Sequence, residues 1–513
     1  MPIIIPGALS LSKRELVEAS SSGNPSTSSG CLGRRAELVE APLPCKDSAS
    51  YLNSSMQTFH HTYTSVLTPQ DMKKHLPYPL HIPPGTRSLQ LRLAYAPQVV
   101  EQTNNLITLT LLDPQGFRGS AHRHVAVLEA ILQEDAASPG FVAGPILPGE
   151  WLVLLDTHMI LPGAPVAVEL EATGDDCSAA CSLPGSTAAA AAPSAPRPAG
   201  GAGWYRGDLH THTFHSDAEW DVAGLLDYAR ANQLDFLALT DHNTISGLAE
   251  FERRCPDGLA PIYGSELTTF WGHALALGRR EWADWRIEAG RRSMAQVAAE
   301  VEAQGGLFVI AHPEAIGDPY CTGCHWSFSD TSPGQARVVE VWNSPWVSES
   351  NNQAGLELAY HWMNQGLRMA LTAGSDCHGG SYAASAVGFN VVYADDLHEA
   401  ALLQAIRAGR LYMSCGPRLD LAARVGGTSL MMGDSCRAQA GETIYLHAEW
   451  SGGPAGARLE LIVDGAARAG LAGEDSAADW ELPGGQTGWA LLTLRAPSGD
   501  MLALTNPIYF DGR

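Results

Sequence analysis

Between residues 204 and 415, strand-like apolar runs alternate with helical ones. Residues 236–240, 307–311, 338–341 and 369–372 have the length and apolar content of buried strands, while 222–232, 293–304 and 397–408 carry helical spacing. Alternation of this kind restricts the fold to an α/β barrel or a layered sheet. It also restricts where chemistry can sit, because such folds build their sites at strand ends.

The flanking segments read differently. From about 75 to 175, short period-two runs such as 89–95 and 106–112 are separated by Asp113-Pro-Gln-Gly116 and Leu147-Pro-Gly-Glu150, which predicts a small β-sandwich. Residues 178–203 contain five consecutive alanines, then Pro193, Pro196 and Pro198 and a run of glycines, the composition of an interdomain linker. Short strands resume after Gly416-Pro417, so 417–513 is expected to be a second small β-sandwich. The Ser/Gly-rich residues 1–55 lack a pattern and repeat Glu-Leu-Val-Glu-Ala at 15–19 and 37–41. They read as a disordered tail, or as a translated upstream repeat with the natural start nearer Met56.

Composition removes several classes. The 45 % hydrophobic and 17 % charged content is that of a globular chain. Against 55 Asp and Glu stand 32 Lys and Arg, and a net charge of −23 repels rather than neutralises a phosphate backbone, so bulk nucleic acid is not an expected partner. No run of about 18 uncharged apolar residues appears, and Met1-Pro-Ile-Ile-Ile-Pro-Gly7 makes a poor secretory signal. The expected setting is cytoplasmic, without a membrane; the oligomeric state stays open.

Nine of the 18 histidines fall between His210 and His378. In Asp208-Leu-His-Thr-His-Thr-Phe-His-Ser-Asp217, His210 and His212 are two apart and share one face of an extended chain, and Asp217 follows on the loop. Leu239-Thr-Asp-His-Asn243 delivers His242, and Gly264-Ser-Glu-Leu-Thr268 delivers Glu266. His273 opens the next run, Ile310-Ala-His-Pro313 supplies His312, and Gly374-Ser-Asp-Cys-His378 supplies Asp376 and His378. One such histidine means little, since most are core or surface residues. Five groups in one α/β segment point to a metal site. Glu266 is the natural bridging ligand because a carboxylate can bind two cations and an imidazole ordinarily binds one.

The order His-x-His, Asp, Asp-His, Glu, His, His-Pro, Ser-Asp-x-His resembles the PHP (polymerase and histidinol phosphatase) metallohydrolases over roughly residues 204–416. Arg206-Gly-Asp-Leu-His-Thr-His-Thr213, with a preceding β-domain, resembles more narrowly the CehA/McbA group, named for a carbaryl hydrolase. The resemblance implies a distorted (β/α)7 barrel and two to three divalent ions, Mn, Zn or Fe. One ion would take His210, His212, Glu266 and Asp376; a second would share Glu266 and add His273 and His312; a third would take Asp217, His242 and His378. Family members place a histidine where this chain has Ala218, so a harder, oxygen-rich third site is expected. The chemistry implied is hydrolysis by a metal-bound hydroxide held at Glu266, with a leaving-group proton from Asp241, His215 or a water.

Candidate substrate contacts are Arg206, Asn343 and Trp342, and Trp326, Trp346 and Tyr320 are candidates for an apolar wall. The plainer role of these aromatic side chains is loop and barrel packing, and that of His215 is an exposed loop position. Cys321-Thr-Gly-Cys-His325 spells a haem-attachment sequence, but the context favours an ordinary loop, a redox pair or a zinc clip. Arg206-Gly-Asp208 is too close to the first ligand strand to serve adhesion. The leading expectation is a phosphoesterase on a small phosphate ester. The alternatives are an ester or carbamate hydrolase of aryl substrates and a non-catalytic binding protein with a relic barrel.

Overall fold

Every second residue of Val166–Asp175 is buried, and this strand pairs antiparallel with Phe59–Leu67 on one side and Ser88–Ala96 on the other. The computed structural model describes residues 59–175, 187–188, 200–288, 290–380, 387–473 and 475–511. The expected tail (1–55) and most of the expected linker (178–203) lie outside the described residues. A six-stranded sheet built on these strands faces a four-stranded one in the order His75–Ile82, Gly149–Met159, Leu106–Asp113, Gly116–Ala121. Leu80, Leu91, Leu109, Trp151 and Leu170 fill the space between them, each at most 2 % exposed. Burying an aliphatic side chain of this size contributes about 1.5–3 kcal/mol. Among the described residues pairing begins at Phe59, before the expected boundary at 75, because the alternating segment 59–67 adds a strand to this sheet.

The second region is mixed α/β, with large sheets and few helices. Strands Phe236–Leu239, Leu307–Ala311, Val338–Asn343 and Ala370–Gly374 are buried along their whole length, which explains their unbroken apolar runs. Two of the helices begin where side chains satisfy free amides. Asp221 accepts from the Gly224 amide at 2.8 Å ahead of Val222–Ala231, and Ser293 and Gln296 form a capping box ahead of Met294–Ala303.

Strand–helix alternation is broken where two strands follow each other directly. Ala260–Thr268 pairs antiparallel with His273–Leu277, which pairs antiparallel with Leu307–Ala311. Reversing one strand puts its first residue on the rim where its neighbours end, so His273 lies opposite both Thr268 and Ala311. A parallel strand would have placed His273 at the other rim.

The sheet does not stop at residue 417. It runs from Gly203–Asp208 through Phe389–Ala394 and Leu411–Ser414 into Met501–Thr505 and Trp489–Arg495. The C-terminal strands therefore extend the site-bearing sheet while packing against a second, four-stranded sheet.

Three side chains close the outer edge of Ala370–Gly374. The Tyr509 hydroxyl pairs with the Met369 amide (2.7 Å) and carbonyl (2.6 Å), and the Asn506 amide group pairs with the Leu371 amide (2.7 Å) and carbonyl (2.8 Å). Asn390 does the same for Ala373 at 2.9 and 2.6 Å. These residues act as an edge strand made of side chains, satisfying groups that would be costly to bury unpaired. Asn506 also donates to the Leu411 carbonyl at 3.1 Å. Asn506→Ala is expected to lower stability by about 3 kcal/mol, since an unpaired buried group costs ~1–3 kcal/mol. A urea-unfolding midpoint unchanged from the parent protein would contradict this.

Candidate metal centre

The Gly203–Asp208 strand continues as an extended chain between two partners. Thr211 pairs with Cys377 in a parallel bridge, the Asp376 amide donates to the His210 carbonyl at 2.9 Å, and the Thr240 amide donates to the Thr211 carbonyl at 3.0 Å. Thr211 turns its hydroxyl to the Ala238 carbonyl, so His210 and His212 point the other way, both fully buried. His242 is bridged to Glu266 in the same manner. His312 (φ 28°) and Asp376 (φ 52°) adopt left-handed backbone just past their strands, a strain of about 1–3 kcal/mol each that such sites characteristically carry.

Glu266, fully buried, stands at the centre. Its Oε2 is 2.7 Å from His242 Nδ1, 3.3 Å from His210 Nε2 and 3.5 Å from His212 Nε2. Its Oε1 faces another pair, His273 Nδ1 at 2.9 Å and His312 Nε2 at 3.3 Å. Asp376 Oδ1 lies 2.9 Å from His212 Nε2 and 3.4 Å from His210 Nε2, and Asp217 Oδ1 lies 3.2 Å from His378 Nε2 and 3.4 Å from His242 Nε2. The donor atoms gather into sets that can each hold an ion: His210, His212, Glu266 and Asp376; Glu266, His273 and His312; and His212, Asp217, His242 and His378. The last set is richer in imidazole than the oxygen-rich site expected, because His212 faces it as well.

Several of these atoms are buried with no hydrogen-bond partner: His210 Nε2, both nitrogens of His212, Glu266 Oε2, Asp217 Oδ1 and Asp376 Oδ1. Buried polar atoms are otherwise nearly always satisfied, so the donor set fits divalent cations. Burial alone would raise the carboxyls of Glu266, Asp217 and Asp376, yet the surrounding imidazoles hold all three well below the usual carboxylate range. Burial likewise opposes charging His378, but Asp217 and Asp376 push it up to about 10. His212 goes the other way, to about 4, through burial and the neighbouring His242 and His378. The acids demand positive charge that protons or cations can supply, and His212 is already in the neutral form a metal requires.

A second layer orients the first. His210 Nδ1 is 3.1 Å from Glu340 Oε2, and Asn343 donates to Glu340 Oε1 at 2.7 Å. Room for this contact depends on Gly374, where a Cβ would stand 2.4 Å from both Glu340 Oε2 and His210 Cβ. His242 Nδ1 is 2.6 Å from Thr268 Oγ1. A cavity of about 520 Å³ opens over the cluster, lined by Asp217, His242, Glu266, His273, His312, Asp376, His378 and Asn343.

Other expected residues lie elsewhere. Asp241 accepts from the Thr213 amide, the Thr213 hydroxyl and the Ser216 hydroxyl, each at 2.7 Å, so its oxygens are occupied in fixing the loop rather than turned to the cavity. His215 is buried, not exposed, with Nδ1 2.9 Å from Ser246 Oγ and Nε2 3.6 Å from Glu250. Arg206 stacks on the Phe389 ring at 4.6 Å. Trp342 is fully buried beside Trp346, and Trp326 belongs to the same core. Of the proposed wall only Tyr320 borders the cavity, together with Cys321 and Cys324, which form a disulfide.

Residues that the sequence reading passed over are Glu340, Thr268, and His122 and His124 of the N-terminal sheets. Glu340 was signalled by a lone acid in an apolar strand. His122 and His124 repeat the strand-end His-x-His spacing outside the α/β segment.

Residues 208–307 match the PHP domain model. An uncharacterized protein of Methanocaldococcus jannaschii is 29 % identical over 130 residues, covering 22 % of this chain and 73 % of that protein. An error-prone DNA polymerase of Symbiobacterium thermophilum is 39 % identical over 72 residues, 14 % of this chain and only 7 % of the polymerase. Among solved structures, a two-domain Bacteroides vulgatus protein containing a predicted PHP-like metal-dependent phosphoesterase aligns over 62 % of this chain and 98 % of its own, at 14 % identity and a TM-score of 0.32.

Glu340 does not line this cavity, so its effect passes through the side chains it holds, His210 and Asn343. Glu340→Ala is expected to weaken metal binding about 10–100-fold, the usual loss for an outer partner of a ligating histidine. Competition with a chromogenic chelator measures it, and parental affinity would show that Glu340 does not orient His210.

Proposed function

We propose that this chain is a PHP-type metal-dependent hydrolase acting as a phosphoesterase on a small phosphate ester. The observation that carries the reading is Glu266, whose two oxygens face two separate sets of imidazoles as a bridging ligand of two ions must. Six of the nine proposed ligands fall within residues 208–307, the stretch matching the PHP domain. On this reading the strands from Gly203–Asp208 to Ala370–Gly374 are the distorted barrel, flanked by two β-sandwich units.

When bound, divalent cations of this kind supply Lewis acidity and lower the pKa of a coordinated water. The chain's own residues do the rest. Glu266, Asp376 and Asp217 balance the charge, and the buried imidazoles fix its position. Asn343, 3.3 Å from Asp376 Oδ2, holds that carboxylate at the cavity wall. The described lining contains no Lys or Arg, so an anionic substrate must find its positive charge in the metal cluster. With Asp241 and His215 engaged elsewhere, the leaving-group proton falls to water. The rival aryl-ester or carbamate reading loses the support of the tryptophans, which pack in the core.

The test is a panel of p-nitrophenyl phosphate, its diester, p-nitrophenyl acetate and an aryl N-methylcarbamate, offered to protein loaded with Mn²⁺, Zn²⁺ or Fe²⁺. Phosphate-ester turnover should exceed the others, vanish with EDTA and return with metal. Glu266→Gln keeps the shape and removes the shared charge, so turnover should fall at least about 10³-fold, or roughly 4 kcal/mol of barrier. Preferred cleavage of the acetate or carbamate would overturn the substrate class, and near-parental turnover in Glu266→Gln would overturn the bridging role.

A further inference from the structure

The N-terminal sheets send one loop into the metal-centre cavity. Gly116–Ala121 ends in Ala121-His-Arg-His124, and His122 and His124 both line the cavity. The His122 ring centroid is 4.8 Å from that of His242, and His124 Nε2 is 3.8 Å from Asp217 Oδ2. Asp217 thus presents one oxygen to His242 and His378 and the other to the N-terminal loop, the same division that Glu266 shows between its own two sets.

We propose that His122, His124 and Asp217 form a further divalent-cation subsite, with Asp217 shared between it and the His242–His378 set. Donor atoms of the three residues lie within 4.8 Å of one another. Bonds of ~2.1 Å to a tetrahedral ion place neighbouring donors roughly 3.4 Å apart, so capture needs shifts of only tenths of an ångström between His124 and Asp217. Buried ring nitrogens are usually satisfied, yet His122 is only 4 % exposed, its Nδ1 has no hydrogen-bond partner and, unlike His75 and His158, which also carry an unpartnered nitrogen, it lines the cavity. Two imidazoles and one carboxylate oxygen suit Zn²⁺ or a similar borderline cation and leave positions open. The half-exposed His124 puts those positions toward the cavity.

The loop is held for this purpose. Arg123 donates to the Phe214 carbonyl, the Thr244 hydroxyl donates to the Gly140 carbonyl at 2.8 Å, and the Gly140 amide donates to Ser246 Oγ at 3.0 Å. Gly140 permits the approach, since a Cβ there would meet the Ser120 carbonyl oxygen at 2.5 Å. Gln98 secures the far end by donating to the His124 carbonyl at 2.9 Å, and the His122 ring stands edge-on to His158 at 4.9 Å. The subsite rests on Asp217 being a ligand, as the proposed function has it, but not on which ester is cleaved.

The full chain and its variants, saturated with Zn²⁺ and freed of excess, would be compared for zinc content by mass spectrometry and, after Co²⁺ substitution, by visible absorption. His124→Ala and the double variant His122→Ala/His124→Ala should each hold about one equivalent less than the parent chain, with the rest retained and one cobalt band lost. Asp217→Asn should lose about two. His124→Ala decides alone if the double variant fails to fold, because His124 is half exposed. Equal zinc content in the parent chain and His124→Ala would overturn the subsite and leave the proposed function standing. A parent chain that binds none of Zn²⁺, Mn²⁺ and Fe²⁺ would overturn both.

Discussion

Three carboxylates, Glu266, Asp376 and Asp217, are drawn into one largely buried cluster, and that concentration of negative charge governs the rest of the structure. Taking even one carboxylate out of water costs several kcal/mol unless an opposite charge accompanies it. Here the compensation is a shell of imidazoles whose nitrogens point at the acid oxygens at 2.7–3.5 Å. Many of those atoms have no other hydrogen-bond partner. A core built only for stability would not gather such groups; a core built to hold cations must.

Holding that cluster requires rigid strand ends, which explains features remote from it. Asp376 and His378 hang from Ala370–Gly374, and its outer edge is completed by Tyr509, Asn506 and Asn390 instead of another strand. The C-terminal region is therefore part of what fixes two of the proposed ligands. The N-terminal sheets are tied in from the other side through Arg123, Gly140 and the Thr244–Ser246 turn. A fragment of residues 204–418 would hold all nine expected ligands but lack the N-terminal sheets, Tyr509 and Asn506, keeping only Asn390 of the three edge side chains.

The positions that the structure gathers into the cluster were legible because they obey local rules. His210 and His212 share a face through period-two geometry, and each group sits where an apolar run ends. Glu266 announced itself as the lone acid in its group. What stayed hidden was set by long-range pairing. The reversal at His273–Leu277, the continuity of the sheet past residue 417 and the approach of His122 and His124 depend on partners far away in sequence. Asp241, His215, Arg206 and Trp342 looked like site residues because they adjoin motifs. Adjacency in sequence does not say which way a side chain turns, and the hydroxyls of Thr213 and Ser216 and the ring of Phe389 decide that here.

The central claim is that Glu266 joins two cations through its separate oxygens. Anomalous diffraction from crystals of the Mn²⁺-loaded protein tests it most directly. The account predicts peaks on either side of Glu266, roughly 3.5–4 Å apart as in two-metal hydrolytic sites, one beside His210 and His212 and the other beside His273 and His312. A single peak, or peaks that leave Glu266 without a bonded ion, would contradict it.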